Sequence, residues 1–384
     1  MKLLVLNYEY PPLGGGAGQI SKSISEGLAL LGHDITVLTT WYEALAETET
    51  LNNVKIIRLK SKRKFVYRSN PFEMTSWIYH AKKFLKEHLK TEKYDLVFAN
   101  FALPGGEVAY SIKLKFRIPY VIISHGHDIP WFAPEQMIWY HIFTYHWIRT
   151  IVTNSEMNFV QSNEMKTNID RFTGFRIKDR NKIIYNGWDS SVFRSDYSKR
   201  SKEFKILFPG RLVKQKDPFT FLKALQILRS NNYKFKAHIL GDGPLRKKME
   251  QFVYNHSLKD FVEFKGWISR EEMLNEYQSG SLTVLPSLSE GMSMATLEAL
   301  ACGQYVITTR VSNNETLIKI GENGDFIHKK DHEMLAGLIG KFYHKKFEQG
   351  YLIDEQKLTK YHELYEWDGI VKQYETYFLT IIEE

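Results

Sequence analysis

The sequence predicts an α/β protein of two parallel-sheet domains, and three observations carry that prediction. Short apolar runs alternate with amphipathic stretches along most of the chain, the order in which strands and crossover helices build a parallel sheet. A polar, charged segment without apolar periodicity, FRSDYSKRSKE (193–203), divides those runs into two series. The 384 residues exceed what one ordinary core encloses and suit two.

The first series opens with LLVLN (3–7), then a glycine loop (Gly14, Gly15, Gly16, Gly18) and an amphipathic helix expected to start near Gln19 or Ser21. ITVLT (35–39), VKIIRL (54–59), DLVFAN (95–100), YVIIS (120–124), TIVTN (150–154) and KIIYN (182–186) read as its further strands. The segment 193–203 reads as the interdomain linker, with a first domain over 1–192 and a second over 204–366. The second series contains FKILF (204–208), KAHILG (236–241), VEFKG (262–266), LTVLPS (282–287) and YVITT (305–309). A last stretch, EWDGIVKQYETYFLTII (366–382), has the spacing of an amphipathic helix.

Composition narrows the classes. A single cysteine, Cys302, cannot staple the chain, and a reducing compartment is expected. The start MKLLVLNYEYPP lacks the apolar stretch of a signal peptide, and no segment has the length of a membrane-spanning helix. A cytoplasmic protein that reaches a membrane only from its inner face is expected. The formal charge of +8 suits anionic partners, and no recognisable module points to nucleic acid.

The most informative segment is SEGMSMATLEALA (289–301), directly after the apolar run LTVLPS. A loop ending at Gly291 and a helix opening at Ser293 would present free backbone N–H groups and a positive dipole end, which attract phosphate. Glu298 would lie about 7 Å along that helix from Ser293, with Glu290 in the loop before it. Two carboxylates flanking an anion site fit a ligand with hydroxyls at both ends and phosphates between, such as a nucleotide sugar. FPGRLVKQKDP (208–218) places Arg211 and Lys216 after a strand, with Asp217 and Pro218 suited to N-cap and N1 of the next helix. LGDGPLRKKME (240–250) is a second glycine turn with a proline before a helix.

Together with LNYEYPPLGGGAGQISKSISEGLALLGHDITVLTT (6–40), SHGHD (124–128) and YNGWD (185–189), these segments resemble, in order, the landmarks of the retaining GT-B glycosyltransferases of family 4, including their E-x7-E signature. The resemblance implies a GT-B fold: two Rossmann-like domains with parallel sheets facing across a cleft, the C-terminal helix (367–384) crossing back to the N-terminal domain. It implies an acceptor-binding first domain and a donor-binding second one. Glu298 would bind the ribose hydroxyls and Glu290 the transferred sugar, helped by the amides of Gly291, Met292, Ser293 and Met294. Gly241 and the residues Trp267 and Ile268 would approach the base, and Gly15 and Gly16 would close over the diphosphate. His125 would sit beside the donor sugar and donate a hydrogen bond to it, with His127 and Asp128 in the same loop. The chain has Met292 and Ser293 where many members have phenylalanine and proline, which leaves the hexose open.

Glycosyl transfer needs fixed positive charge beside the departing diphosphate. The chain contains no D-x-D triplet. Arg211, Lys216 and the helix start after Gly291 therefore read as the stabilisers, with no metal and no cofactor expected. Each cation alone would be an ordinary solvated surface charge; the motif distinguishes these two. A dinucleotide site at the glycine loop fails, because Gln19 and Ser21 occupy the third-glycine positions and the second strand ends in Thr39 and Thr40 instead of an acid. His125, His127 and Asp128 make a poor zinc site without a partner elsewhere.

Two basic, aromatic stretches, KSKRKFVYR (60–68) and WIYHAKKFLKEHLK (77–90), suit either an anionic membrane surface or an ordinary loop and crossover helix. WFAPEQMIWYHIFTYHW (131–147) reads as core or as an acceptor wall. The expected activity is retaining, metal-independent transfer from a UDP-sugar, with GDP-mannose as the other donor, to a cell-surface glycan or lipid-linked acceptor. A non-catalytic subunit that binds a partner glycosyltransferase and a nucleotide-sugar epimerase of the same fold are the alternatives.

Overall fold

The structure is a computed structural model that describes residues 1–66, 69–126, 128, 130, 134–189, 191–311, 314–350 and 364–383, with 134–139 and 346 as backbone only. It divides into two units, Met1–Gly187 with Trp367–Glu384, and Trp188–Glu366.

In the first unit, β1 (Lys2–Leu6), α1 (Gly16–Leu30), β2 (Asp34–Thr40), β3 (Thr48–Leu51), β4 (Val54–Leu59), α2 (Pro71–Thr91), β5 (Leu96–Asn100), α3 (Glu107–Phe116), β6 (Tyr120–Ile123), α4 (Pro134–Thr153), β7 (Met157–Val160), α5 (Asn163–Thr173) and β8 (Asn181–Ile183) follow in order. The sheet runs β3-β4-β2-β1-β5-β6-β7-β8, parallel throughout except for β3, which pairs antiparallel with β4. Every residue of β5 and β6 is buried, as expected of strands covered by helices on both faces. α2 starts at a capping box of Asn70 and Glu73 with Pro71 at its first position, so its start is fixed by local chemistry.

The second unit contains β9 (Lys205–Pro209), α6 (Pro218–Ser230), β10 (Lys236–Leu240), α7 (Arg246–Asn255), β11 (Val262–Gly266), α8 (Arg270–Ser279), β12 (Leu282–Leu285), α9 (Met294–Ala301), β13 (Tyr305–Thr309), α10 (Asn314–Leu317), β14 (Gly324–Ile327) and α11 (His332–Phe342). Its parallel sheet runs β11-β10-β9-β12-β13-β14 around a core that includes Ile206, Phe208, Leu225, Ile239 and Val284. The C-terminal helix (Trp367–Glu383) packs in the first unit: Tyr374 and Phe378 bury their rings against Phe98 and Phe159. Among the described residues no helix is long and apolar enough to cross a membrane.

Four local readings change. TIVTN ends α4 instead of forming a strand; Ile148, Ile151 and Val152 are buried at helical spacing, and the strand is the following MNFV. A short β-branched run fits either state until its neighbours decide. β3 and β14 carry no strong apolar run and are additional strands. α1 starts at Gly16, so Gly16, Ala17 and Gly18 form its first turn. The division falls between Gly187 and Trp188, and the polar segment 193–203 lies on the second unit. There Phe193 packs edge-on to Tyr277, the Arg194 carbonyl accepts from Gln278, and Arg200 donates to the carbonyls of Gly280 and Gly303.

Candidate active site

In an open α/β sheet, ligands bind beyond the carboxyl ends of the strands where the winding direction reverses, because the loops diverge there and leave a crevice. In the second sheet that point lies between β9 and β12. The loop after β9 carries Arg211 and Lys216, and the loop after β12 carries Glu290. Lys216 Nζ donates to Glu290 Oε1 at 2.5 Å, and Ser287 Oγ donates to the same oxygen at 2.7 Å. The loops are also tied through their backbones: Leu288 N donates to the Gln215 carbonyl at 2.7 Å, and Gln215 Nε2 to the Ser289 carbonyl at 2.9 Å. Glu290 is buried, and its ion pair is correspondingly little screened.

Asp217 occupies the N-cap of α6 with Pro218 at the first position, but in the left-handed region at φ 46°. Its carboxylate accepts from the Thr220 hydroxyl at 2.7 Å instead of capping a backbone N–H. A non-glycine residue held there carries local strain, here beside Lys216. Arg211 is exposed, and its guanidinium makes no hydrogen bond or ion pair among the described residues.

α9 is capped by Ser293, whose hydroxyl accepts from Thr296 N at 3.3 Å, and no acidic residue occupies its first turn. Gly291 and Met292 precede that cap, and Met294 begins the helix. Glu298 lies on the same helix, where Tyr277 Oη donates to its Oε2 at 3.4 Å. Burial pushes the Glu298 carboxyl up to about 7, against the opposing pull of Arg270.

Gly241 ends β10 at φ +145°, and a Cβ there would collide with the Gly210 carbonyl. Only glycine permits this approach of the two loops. Pro244 lies in a turn two residues before α7, which opens at Arg246. Beyond β11, Trp267 is exposed and Ile268 half-buried, just before the Ser269 cap of α8. The expected donor residues thus lie along the carboxyl ends of β11, β10, β9 and β12, three strand spacings or about 14 Å.

The first sheet reverses between β1 and β5. The glycine loop follows β1, and Gly15 is the N-cap of α1 without a side-chain cap or an acid in the first turn. A Cβ on Gly15 would meet nothing within 4 Å, whereas one on Gly18 would lie 2.6 Å from the Glu9 carbonyl oxygen. Gly18 is therefore required by packing and Gly15 is not.

His125 follows β6. Its backbone N–H donates to Asp128 Oδ1 at 3.0 Å, and Ala102 N donates to Asp128 Oδ2 at 3.0 Å, so the buried Asp128 carboxylate braces two loops. Desolvation pushes the His125 imidazole down to about 3, leaving it neutral with one N–H. Asn100 Nδ2 donates to Ser21 Oγ at 3.2 Å, and Asn100 Oδ1 lies 3.1 Å from His125 Nε2. The neutral ring carries one N–H and one acceptor nitrogen, so His125 can meet a ligand in either role according to its tautomer. Phe101, at φ 66°, places its ring centroid 4.8 Å from that of His125. His127 lies outside the described residues, as do Tyr67 and Arg68 of the basic stretch and 131–133 of the aromatic one.

Sequence reasoning did not single out Ser287, Tyr277 or Asn100. Asn100 had a readable signal, a polar residue closing an otherwise apolar strand; Tyr277, brought in from α8, had none.

The profile described as Glycosyl transferases group 1 matches residues 189–362, and that described as Glycosyltransferase Family 4 matches 14–192. An uncharacterized glycosyltransferase of Methanocaldococcus jannaschii is 26% identical, the alignment covering 97% of this chain and 96% of the relative. The GalNAc-alpha-(1->4)-GalNAc-alpha-(1->3)-diNAcBac-PP-undecaprenol alpha-1,4-N-acetyl-D-galactosaminyltransferase of Campylobacter jejuni is 28% identical, over 74% of this chain and 79% of its own length. HepE of Anabaena, solved in complex with UDP and glucose, superposes with a TM-score of 0.80 at 18% identity, covering 99% of this chain and 100% of HepE. With both halves matched in sequence and the whole chain matched in fold, the protein belongs to glycosyltransferase family 4 and is a GT-B glycosyltransferase.

Proposed function

We propose that the protein is a retaining, metal-independent glycosyltransferase that moves a sugar from a UDP-sugar to a saccharide or lipid-linked acceptor at the cytoplasmic face of an anionic membrane. The observation that carries this reading is the Lys216–Glu290 pair at the β9/β12 switch point, beside the N-terminus of α9 and on the same loop-helix as Glu298. Lys216 and Arg211 offset charge on the departing diphosphate, as do the first amides of α9. Glu298 accepts from the ribose hydroxyls, and Glu290, held by Ser287, accepts from the transferred sugar. His125 hydrogen-bonds the transferred sugar. The sugar leaves and the acceptor enters on one face, with a donor phosphate oxygen taking the acceptor proton, so no protein nucleophile is needed. UDP in the HepE complex favours that base over the GDP of GDP-mannose.

The test is a thermal-shift screen of the purified protein against UDP- and GDP-sugars in chelator, followed by proton NMR of the product formed from the donor that binds. A donor at about 100 times its Kd stabilises by about 2.7 kcal/mol. Stabilisation by a UDP-sugar and a product of unchanged anomeric configuration support the reading. An inverted product, or activity only with added divalent metal, contradicts it. A released epimer identifies an epimerase, and silence towards every donor in the presence of membrane extract identifies a non-catalytic subunit.

A further inference from the structure

A groove of about 420 Å³ runs between α2 and α4 in the first unit, within the size range of small-molecule sites. Met74 and Ile78 line it from α2, Phe143 and Trp147 from α4, and Leu103 forms its floor. Among the described residues its lining carries the hydroxyls of Thr75, Thr144 and Tyr140 and the Trp147 indole N–H but no charged side chain, so it suits hydrocarbon. The Trp147 ring is held by Glu107, which accepts from its Nε1 at 2.5 Å and from Lys82. The apolar surface continues outward: Phe72 is 84% exposed, Phe143 82% and Tyr79 63%. Such a contiguous exposed patch marks an interaction site.

Two further observations identify the occupant. Leu103 belongs to the short segment after β5 that also holds Phe101 against the His125 ring, so one segment borders both the groove and His125. Lysines lie on the same elements: Lys83 and Lys86 are exposed along α2, and exposed Lys62 and Lys64 are fastened to that helix through Lys62 N to Ser76 Oγ and Lys64 N to Glu73 Oε1. A long apolar chain beside an anionic head matches that combination of groove and charge.

We propose that the groove between α2 and α4 seats the hydrocarbon chain of a phosphate-bearing, lipid-linked acceptor, leaving its glycan toward His125. This rests on the glycosyltransferase reading and names the acceptor class. Seating the chain immobilises the acceptor before transfer, so the reaction gains from orientation.

The probe is decyl phosphate, titrated below its micelle concentration by calorimetry, with methyl phosphate as control. Thr75→Trp fills the groove from an exposed position, and Phe143→Asp places a charge on its rim. The expected result is one-to-one binding of decyl phosphate, none of methyl phosphate, and at least about tenfold weaker binding by each variant. Stabilisation by the UDP-sugar should be the same in both variants as in the native protein. Absence of decyl phosphate binding, or equal binding by Thr75→Trp, overturns the proposal, while retained UDP-sugar stabilisation shows that the donor reading stands. Anionic vesicles sedimenting equally with native protein and Thr75→Trp, without decyl phosphate binding, also overturn it and make the face a membrane-contact surface. Chain binding without any UDP-sugar stabilisation overturns the acceptor assignment through failure of the underlying function.

Discussion

Glu290 Oε1 receives both Lys216 and Ser287, so one carboxylate oxygen organises the loops after β9 and β12. On the proposed reading a diphosphate competes with Glu290 for Lys216, which predicts opposite effects of the two residues on binding of the product UDP. Glu290→Gln should tighten UDP several-fold while lowering transfer about 100-fold, whereas Lys216→Ala should weaken UDP and slow transfer by a similar factor. Calorimetry with UDP and steady-state kinetics separate these outcomes; looser UDP in Glu290→Gln would contradict the competition.

Glu298 gives a pH dependence of known sign. Burial pushes its carboxyl up to about 7, and on the proposed reading the ribose hydroxyls need it ionised to accept their hydrogen bonds. UDP affinity should therefore rise from about pH 6 to about pH 8, and Glu298→Gln should flatten that rise. His125 bears on stability instead. Its folded value is pushed down to about 3, so the unfolded chain binds the extra proton first. The stability it contributes is complete above about pH 6.5 and is lost as pH falls toward the folded value. His125→Phe should reduce the acid sensitivity of the melting temperature.

At the scale of elements, the glycines separate packing from ligand approach. Gly18→Ala should lower the melting temperature, since its Cβ meets the Glu9 carbonyl at 2.6 Å, and Gly241→Ala should do so through Gly210. Gly15→Ala has open space and should keep the melting temperature while lowering transfer, if the N-terminus of α1 approaches the diphosphate. Much of this was legible beforehand. Apolar runs located most strands, and the spacing of Gly291, Ser293 and Glu298 located α9 with its cap. What was not legible came from tertiary context. Gly16 to Gly18 read as loop because glycine disfavours helix, yet the close approach to Glu9 requires a small residue in that first turn. The His125 ring meets Asn100, which in turn bonds Ser21, 25 and 104 residues earlier, and periodicity carries no information about such contacts.

For the whole molecule, the division into two units places the C-terminal helix with the first one. Ile370, Val371, Tyr374 and Phe378 are buried there, and Gly27 of α1 lies against Val371. Burial of four such side chains contributes about 6–12 kcal/mol, comparable with the total stability of a domain. Deleting residues 367–384 should therefore abolish the melting transition of the first unit, while Tyr374→Ala should cost it about 3–5 kcal/mol. Differential scanning calorimetry reads both.

On the proposed reading, Arg211, Lys216, Glu290 and Glu298 form a nucleotide-sugar site at the β9/β12 switch point. Titration of the UDP-sugar found by the donor screen, into native protein and into Lys216→Ala in chelator, tests it most directly. The account predicts saturable one-to-one binding that Lys216→Ala weakens by at least about tenfold with the fold intact. Equal affinity in the two proteins would show that the donor diphosphate lies elsewhere.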